Sequence, residues 1–273
     1  MTSIGKKRRM DRLFNKQTGT TVIVPMDHGI EGYFSELQNP HQLVETLSES
    51  GVDGFLTRPG FANTAREAFG RAGWVQRLTI RSGIAVARDA KLDLDQLLIH
   101  NVRQALRNGA DAVVPTFFLG GDKEHRDLPL LGEIADTCAE IGLPLMAEVF
   151  PIGEKDSDPY DGPYSIDDMR MTVRIASEHG ADMIKTWYSG SSESFKQIVD
   201  YSLVPVLIAG GPKAEKPVDV LEMVKGAMDA GAKGTTVGRK IWQSTNPGAM
   251  ARAVLMIVHN GTDVTEALKV LNE

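Results

Sequence analysis

Gly180-Ala181-Asp182-Met183-Ile184-Lys185-Thr186 decides the architecture. It closes an amphipathic run that opens at Ser165, with Asp168 three residues on in the manner of a capping box, and continues through Met169, Val173 and Ala176. Glycine accepts the left-handed conformation that ends a helix, and the small residue behind it lets the chain turn tightly into a short apolar strand. The junction recurs at Gly51-Val52-Asp53, Gly109-Ala110-Asp111 and Gly231-Ala232-Lys233. A helix-to-strand boundary repeated in this way points to successive βα units rather than separate domains.

The rest of the chain fits that unit. Short apolar runs stand at 21–26, 54–57, 77–80, 112–116, 144–150, 183–186, 205–209 and 234–237. Between them lie helical patterns. One is Leu43, Val44 and Leu47 after the start signal Asn39-Pro40. Others are Leu98, Val102 and Ala105 up to Gly109, and Leu221, Val224 and Met228 up to Gly231. Strands and helices alternating over about 250 residues have the size of a (β/α)₈ barrel. The chain is therefore predicted to be an α/β protein, a single (β/α)₈ TIM barrel over 21–273 preceded by an N-terminal arm over 1–20. A doubly wound open sheet is the competing architecture. It is disfavoured because no G-x-G-x-x-G follows the first strand.

Composition narrows the class further. The chain has 273 residues, 42% hydrophobic and 24% charged, with a net charge of −6. That balance argues against a general nucleic-acid or membrane-surface binder. The basic run Lys6-Lys7-Arg8-Arg9 reads as a solvated arm, one able to touch a neighbouring subunit, in preference to a nucleic-acid or targeting arm. The one cysteine, Cys138, falls in the helical pattern Ile134, Cys138, Ile141 and reads as a buried apolar residue. With no internal disulfide, no secretion signal and no apolar run near the roughly 20 residues a membrane span needs, a cytoplasmic protein is expected. The histidines are scattered without metal-ligand spacing, so no metal site is expected.

In a barrel the chemistry sits at the C-terminal ends of the strands. Lys185 lies inside the apolar stretch 181–187, where a lysine is costly. Period-two alternation puts it on the face of Met183 and opposite Ile184. If Ile184 meets the helices, Lys185 points into the barrel. A desolvated lysine there has a lowered pKa, and its neutral amine attacks carbonyls. The blander reading is a lysine that reaches out of the strand end. Strands seven and eight end in Gly210-Gly211-Pro212-Lys213 and Gly238-Arg239. Paired glycine turns let backbone N–H groups approach an anion, a helix starting after Arg239 adds its positive end, and Lys213 and Arg239 add charge. Two tight turns that merely need glycine are the alternative. Asp27-His28 at the end of strand one offers a carboxylate and an imidazole for proton transfer or substrate binding, although Asp27 also reads as a turn cap before Gly29.

These residues form longer blocks: Val24-Pro25-Met26-Asp27-His28-Gly29, 180–186, Ile208-Ala209-Gly210-Gly211-Pro212-Lys213 and Val237-Gly238-Arg239-Lys240-Ile241-Trp242-Gln243. In that order they resemble the archaeal-type class I fructose-bisphosphate aldolases. They are also similar to the related 2-amino-3,7-dideoxy-D-threo-hept-6-ulosonate synthases and to the thiolase that degrades phosphorylated autoinducer-2. The resemblance runs from Arg12-Leu13-Phe14-Asn15 to the last helix at about 263–271, and the synthase branch is nearest over the last third. It implies that Lys185 is the Schiff-base lysine and Asp27 an acid/base and substrate-binding residue. Gly210, Gly211, Gly238 and Arg239 would hold a substrate phosphate. It also implies a reaction without metal or other cofactor, and a ring-shaped homo-oligomer, commonly a decamer.

One departure stands out. Aldolases and synthases of this kind carry a proton-donating tyrosine at the end of strand five, then Pro and usually Arg-Gly. This chain has Phe150-Pro151-Ile152-Gly153, and phenylalanine donates no proton. Glu148 lies two residues back on the same strand face. A carboxyl raised by apolar surroundings suits a general acid; a glutamate paired with Lys185 or an arginine is the alternative. Tyr160, Tyr164 and Tyr188 are further candidates, and the loop 153–164 reads as an insertion over the mouth. The expected activity is a metal-independent class I aldol reaction on a phosphorylated ketose or diulose, with Lys185, Asp27, His28 and Glu148 as catalytic residues. A lysine-dependent thiolase or acyltransferase acting on a phosphorylated diketone, favoured by Phe150, and a non-catalytic phosphosugar-binding barrel are the alternatives.

Overall fold

Strand β1 (Thr21–Pro25) is buried along its whole length, as are β2 (Gly54–Thr57), β8 (Met146–Pro151), β9 (Met183–Thr186) and β10 (Val206–Ala209). Strands buried on both faces belong to a parallel sheet covered by helices, and the computed structural model, which describes residues 3–80, 96–152, 165–211 and 216–272, is such a sheet closed into a barrel. The remaining strands are β3 (Gly73–Arg77), β6 (Ala112–Val114), β7 (Thr116–Leu119) and β11 (Gly234–Thr236), with a small antiparallel pair, β4 (Thr79–Ile80) and β5 (Leu97–Leu98), beside the barrel. The order is β6-β3-β2-β1-β11-β10-β9-β8-β7. Its two ends, β6 and β7, are successive halves of one strand interrupted at Pro115. Val113 bridges to Leu145 beside β8, so the ring closes at the fourth barrel position.

Pleating sorts the side chains into two layers. Val22, Val24, Phe55, Ala147, Val149, Ile184 and Ile208 face the helices. Ile23, Leu56, Val75, Val114, Met146, Met183 and Leu207 form a second core inside the barrel. The expected alternation at Ile184 and Lys185 therefore holds. One pleat repeat above the inner apolar layer, about 6.6 Å along each strand, the interior columns turn polar: Val75 gives way to Arg77, Val114 to Thr116, Met146 to Glu148 and Met183 to Lys185.

The helices that cover the barrel include α2 (Pro40–Glu49), capped by the Asn39 side chain on Gln42 N, and α3 (Pro59–Ala65). They are followed by α4 (Val102–Arg107), α5 (Glu124–Ile141) and α6 (Ile166–Glu178), the last capped by Ser165 on Asp168 N. Then come α7 (Ser192–Tyr201), α8 (Pro217–Asp229), the one-turn α9 (Arg239–Trp242), α10 (Pro247–Asn260) and α11 (Val264–Lys269). Gly51, Gly109, Gly180 and Gly231 all have φ between 92° and 97°, the left-handed region expected for the recurring junction. The aspartates beside them do more than turn the chain. Asp53, Asp111 and Asp182 each accept a main-chain N–H from the neighbouring strand or strand entry, at Val22 (2.7 Å), Trp74 (3.1 Å) and Leu145 (2.9 Å).

Three sequence expectations are corrected. The third barrel strand is 73–77, not 77–80; Thr79 and Ile80 belong to the small pair with β5. Leu98 lies in β5, so the helix before Gly109 starts at Val102. The segment taken as a solvated arm contains α1 (Ile4–Leu13), docked on the barrel floor. Leu13 is fully buried against the inner core, and Lys6 and Arg12 pair with Asp182 (2.8 Å) and Asp111 (2.5 Å). Leu13 lies so close to Gly73 that a Cβ there would stand 2.7 Å from its Cδ2. Among the described residues no helix is long and apolar enough to cross a membrane.

Leu13 thus seals the inner layer from below. Leu13→Ala should cost about 2–5 kcal/mol, the range for a leucine truncated in a packed core. Urea unfolding followed by circular dichroism measures it, and a loss below about 1 kcal/mol would show that α1 is not part of the cooperative core.

Candidate active site

The polar layer opens into a cavity of about 540 Å³ at the C-terminal ends of the strands. Lys185 points into it from β9 and Glu148 from β8. The two are direct register partners on adjacent strands, and Lys185 Nζ lies 2.5 Å from Glu148 Oε1. Thr116 is the register partner of Glu148 on the other side, and its hydroxyl donates to Oε2 at 2.5 Å. Arg77 reaches across from β3. Its Nη1 donates to Glu148 Oε2 and its Nε to Asp27 Oδ2 at 2.6 Å. Each of the four charged side chains is less than a tenth exposed.

This arrangement fixes the protonation states. Burial alone would raise the Glu148 carboxyl, but Arg77, Lys185 and the hydrogen bonds from Lys185 and Thr116 overcome it and lower its pKa to about 2. The expectation of a raised, acid-donating Glu148 is therefore reversed: its alternative, a glutamate paired with barrel cations, is what the structure contains. Asp27 is likewise held well below the usual carboxylate range, because Arg77, His28 and Lys185 outweigh the cost of burial. His28 is pushed down by burial in spite of Asp27 and Glu31, so its ring is neutral at neutral pH. Its Nδ1 lies 3.7 Å from Asp27 Oδ1 and has no hydrogen-bond partner among the described residues.

The glycine turns stand on the adjacent strands β10 and β11. Gly210, Gly211, Gly238 and Arg239 all line the same cavity as Lys185, Asp27, His28 and Glu148. At Gly238 a Cβ would meet the carbonyl oxygen of Pro25 at 2.4 Å, so only glycine lets β1 and the start of α9 approach this closely. Arg239 Nη1 lies 3.3 Å from Glu31 Oε2. Lys213, Tyr160, Tyr164 and the proposed insertion 153–164 lie outside the described residues. Tyr188 does not line the cavity; its hydroxyl lies where a Cβ on Gly226 of α8 would be, 2.3 Å away. Phe150 stacks on Trp187 with ring centroids 3.9 Å apart, and both line the cavity as an apolar wall.

Two arginines that line the cavity were not anticipated, Arg77 and Arg58. Arg77 carries the same signal as Lys185, a cation inside an apolar stretch, Trp74-Val75-Gln76-Arg77-Leu78. With the third strand placed at 77–80, however, Arg77 would begin the strand at the barrel floor rather than end it at the mouth.

A buried, ion-paired lysine inside the mouth of an eight-position parallel barrel, in one cavity with two glycine turns, is an arrangement that suits Schiff-base chemistry on a carbonyl. The model of the DeoC/LacD family aldolases matches residues 21–244, and the chain belongs to that family. It is 34% identical to the 2-amino-3,7-dideoxy-D-threo-hept-6-ulosonate synthase of Halobacterium salinarum, over 98% of this chain and 97% of that one. It is 32% identical to the 2-amino-4,5-dihydroxy-6-oxo-7-(phosphonooxy)heptanoate synthase of Streptomyces griseus, over 92% and 89%. A solved archaeal fructose-1,6-bisphosphate aldolase, with its catalytic lysine covalently bound to the carbinolamine intermediate of the substrate, superposes with a TM-score of 0.79. That match has 27% identity and covers 93% of this chain and 99% of the other.

The depressed Glu148 pKa has a sign. An unfolded glutamate titrates near 4.5 and the folded one near 2, so the ion-paired carboxylate stabilises the fold fully above about pH 4.5. That contribution is lost as the pH falls through about 2. Glu148→Gln should therefore flatten the acid limb of the stability curve between those values, as read by urea midpoints at stepped pH. An unaltered acid limb would show that Glu148 is not the carboxylate being protonated.

Proposed function

We propose that the protein catalyses a reversible aldol reaction on a phosphorylated ketone held as an imine on Lys185. Its phosphate would sit at the backbone of Gly210, Gly211 and Gly238 with Arg239, and Lys213, two residues after Gly211 in the sequence, is a further candidate cation. The observation that carries this reading is the contact between Lys185 and Glu148 inside a cavity that those glycine turns also line. Phosphate after the seventh and eighth strands is a recurrent use of such barrels, and the Streptomyces griseus relative is named for a product with a phosphonooxy group next to its ketone.

Lys185 attacks the ketone as the free amine, so its ammonium proton must first leave. Glu148 and Asp27 are both ionised at neutral pH and are the nearby acceptors. Addition gives a carbinolamine, and loss of water gives an iminium. The iminium carries the same charge as the ammonium it replaces, so it too is stabilised by Glu148. Its pull on the neighbouring electrons then allows the adjacent carbon–carbon bond to break or form. With Phe150 contributing no hydroxyl, Asp27 and the neutral ring of His28 are the groups that move protons at the substrate. We further infer a homo-oligomer, a decamer by family resemblance, working in the cytoplasm.

Incubation with dihydroxyacetone phosphate and a panel of phosphorylated ketoses, reduction with borohydride and intact-mass analysis test the proposal. A covalent adduct is expected on the wild type, mapped to Lys185 and absent from Lys185→Ala. Binding without an adduct for any of these compounds would leave a phosphosugar-binding barrel. Release of an acyl product only when a thiol acceptor is added would favour the thiolase reading, for which Phe150 speaks. Either result overturns the aldol assignment.

A further inference from the structure

When an aldol bond forms, the oxygen of the accepting aldehyde becomes an alkoxide, and its charge needs a fixed donor aimed at it. Phe150 offers none, and among the described residues no tyrosine lines the cavity. Two of the hydroxyls there are committed elsewhere: Thr116 donates to Glu148 and Thr236 to the main-chain oxygen of Ile208. Asp27 and Glu148 are ionised, so at the moment of bond formation they repel an alkoxide.

Arg77 is differently placed. It lines the cavity from the end of β3, and its bonds to Asp27, Glu148 and Thr116 use only Nε and Nη1. Nη2, with two N–H donors, makes none of these contacts. With β6 and β7 counted as one position, β1 and β8 stand two places to either side of β3. The carboxylates of Asp27 and Glu148 therefore grip the guanidinium from two sides, and its fork is fixed before any substrate arrives. Burial would lower its pKa, but Asp27 and Glu148 raise it above the usual guanidinium value, so the group stays a cation. It also stands close to the reacting atoms. Lys185 Nζ meets Oε1 of Glu148 and Arg77 Nη1 meets Oε2, so one carboxylate separates the two nitrogens. The alkoxide oxygen sits on the second carbon beyond the imine carbon, a comparable reach.

We propose that Arg77 is a catalytic residue, whose Nη2 hydrogen-bonds the aldehyde oxygen and stabilises it as it becomes an alkoxide. This rests on the aldol reading above. The donor iminium gives one proton from carbon to Asp27 and becomes an enamine. The enamine electron pair forms the new bond to the aldehyde carbon, the carbonyl electrons pass to oxygen, and the nitrogen becomes iminium again. Arg77 holds that oxygen without releasing a proton. Asp27, bonded to Nε of the same guanidinium, returns the proton it took and completes the product hydroxyl. Water then hydrolyses the iminium and restores Lys185 as the amine. Cleavage runs through the same steps in reverse. A preorganised cation thus does by charge what a hydroxyl would do by proton donation.

The test separates the donor half of the reaction from bond formation. Dihydroxyacetone phosphate in deuterium oxide reports the enamine through loss of a carbon-bound proton signal in NMR, with no acceptor present. Condensation with glyceraldehyde 3-phosphate or glyceraldehyde, whichever the wild type uses faster, reports the step that makes the alkoxide. Arg77→Lys keeps the buried charge but loses the fork. It should lower kcat for condensation about 100-fold, the scale for one oxyanion donor, while exchange and the borohydride-trapped adduct fall by less than about threefold. A parallel fall in all three shows that Arg77 only balances Asp27 and Glu148, and overturns the assignment; so does undiminished condensation. The wild type supplies a check that needs no variant. Its ratio of condensation to exchange should stay flat from about pH 8 to 10.5, where a guanidinium keeps its protons. A fall in that ratio near about pH 10 would reveal a tyrosine hydroxyl as the donor and overturn the assignment. A wild type that exchanges the donor proton but condenses neither aldehyde does the same. Absence of both exchange and adduct on the wild type instead overturns the aldol reading beneath it.

Discussion

Charge cannot be buried in this barrel except in balance. Two carboxylates, Asp27 and Glu148, and two cations, Arg77 and Lys185, share a layer less than a tenth exposed to solvent. Removing any one would strand its partners in a medium where an unpaired ion costs several kcal/mol. The strands meet this constraint through register alone. Glu148 falls directly beside Lys185 and Thr116, while Arg77, too far along the ring for such a contact, spans the interior with a long side chain. The proposed imine chemistry would respect the same balance at its iminium stage, which exchanges one cation on Lys185 for another. At the neutral amine and carbinolamine between them, the displaced proton on a neighbouring carboxylate would keep the net charge of the layer unchanged.

The wall formed by Phe150 and Trp187 bears on that balance. Stacked rings lining the cavity exclude water from the side of Lys185 and strengthen the electrostatic contacts around it. Phe150 offers no hydroxyl there. In the proposed reaction, proton transfer would fall to the β1 side of the cavity, where Asp27 and His28 stand. The Glu148 carboxylate is tied by Lys185, Arg77 and Thr116 at once, and it is better suited to holding a cation than to giving up a proton.

Much of the barrel was legible because its signals are local. A glycine closes each of the recurring helices, alternation assigns Met183 and Ile184 to opposite faces, and the asparagine and serine caps at Asn39 and Ser165 fall where the helices begin. The third strand was not. The segment before it forms α3 and a short 3-10 turn (Arg66–Phe69) rather than one clear helical period, and the two-residue strands of the pair β4–β5 follow it. A displacement of four residues there hid Arg77. Arg58 and the inversion of Glu148 were invisible for another reason. Both depend on which charges meet across the ring, a property of register between strands that are distant in sequence. The aspartates after the junction glycines were visible as a pattern, but their bonds to the next strand were not.

Those aspartates reach further than the sheet. Asp182 binds Lys6 and Asp111 binds Arg12, so the first helix is fastened to parts of the chain translated much later, 176 residues later in the case of Lys6. During synthesis α1 emerges well before its partners, and its ion pairs cannot form until the entries to the fourth and sixth barrel strands exist. Its basic face and Leu13 must wait in solution, exposed to whatever else the growing chain and its surroundings offer. An early-translated segment thus completes its contacts only after the sixth barrel strand, far along the chain, has been made.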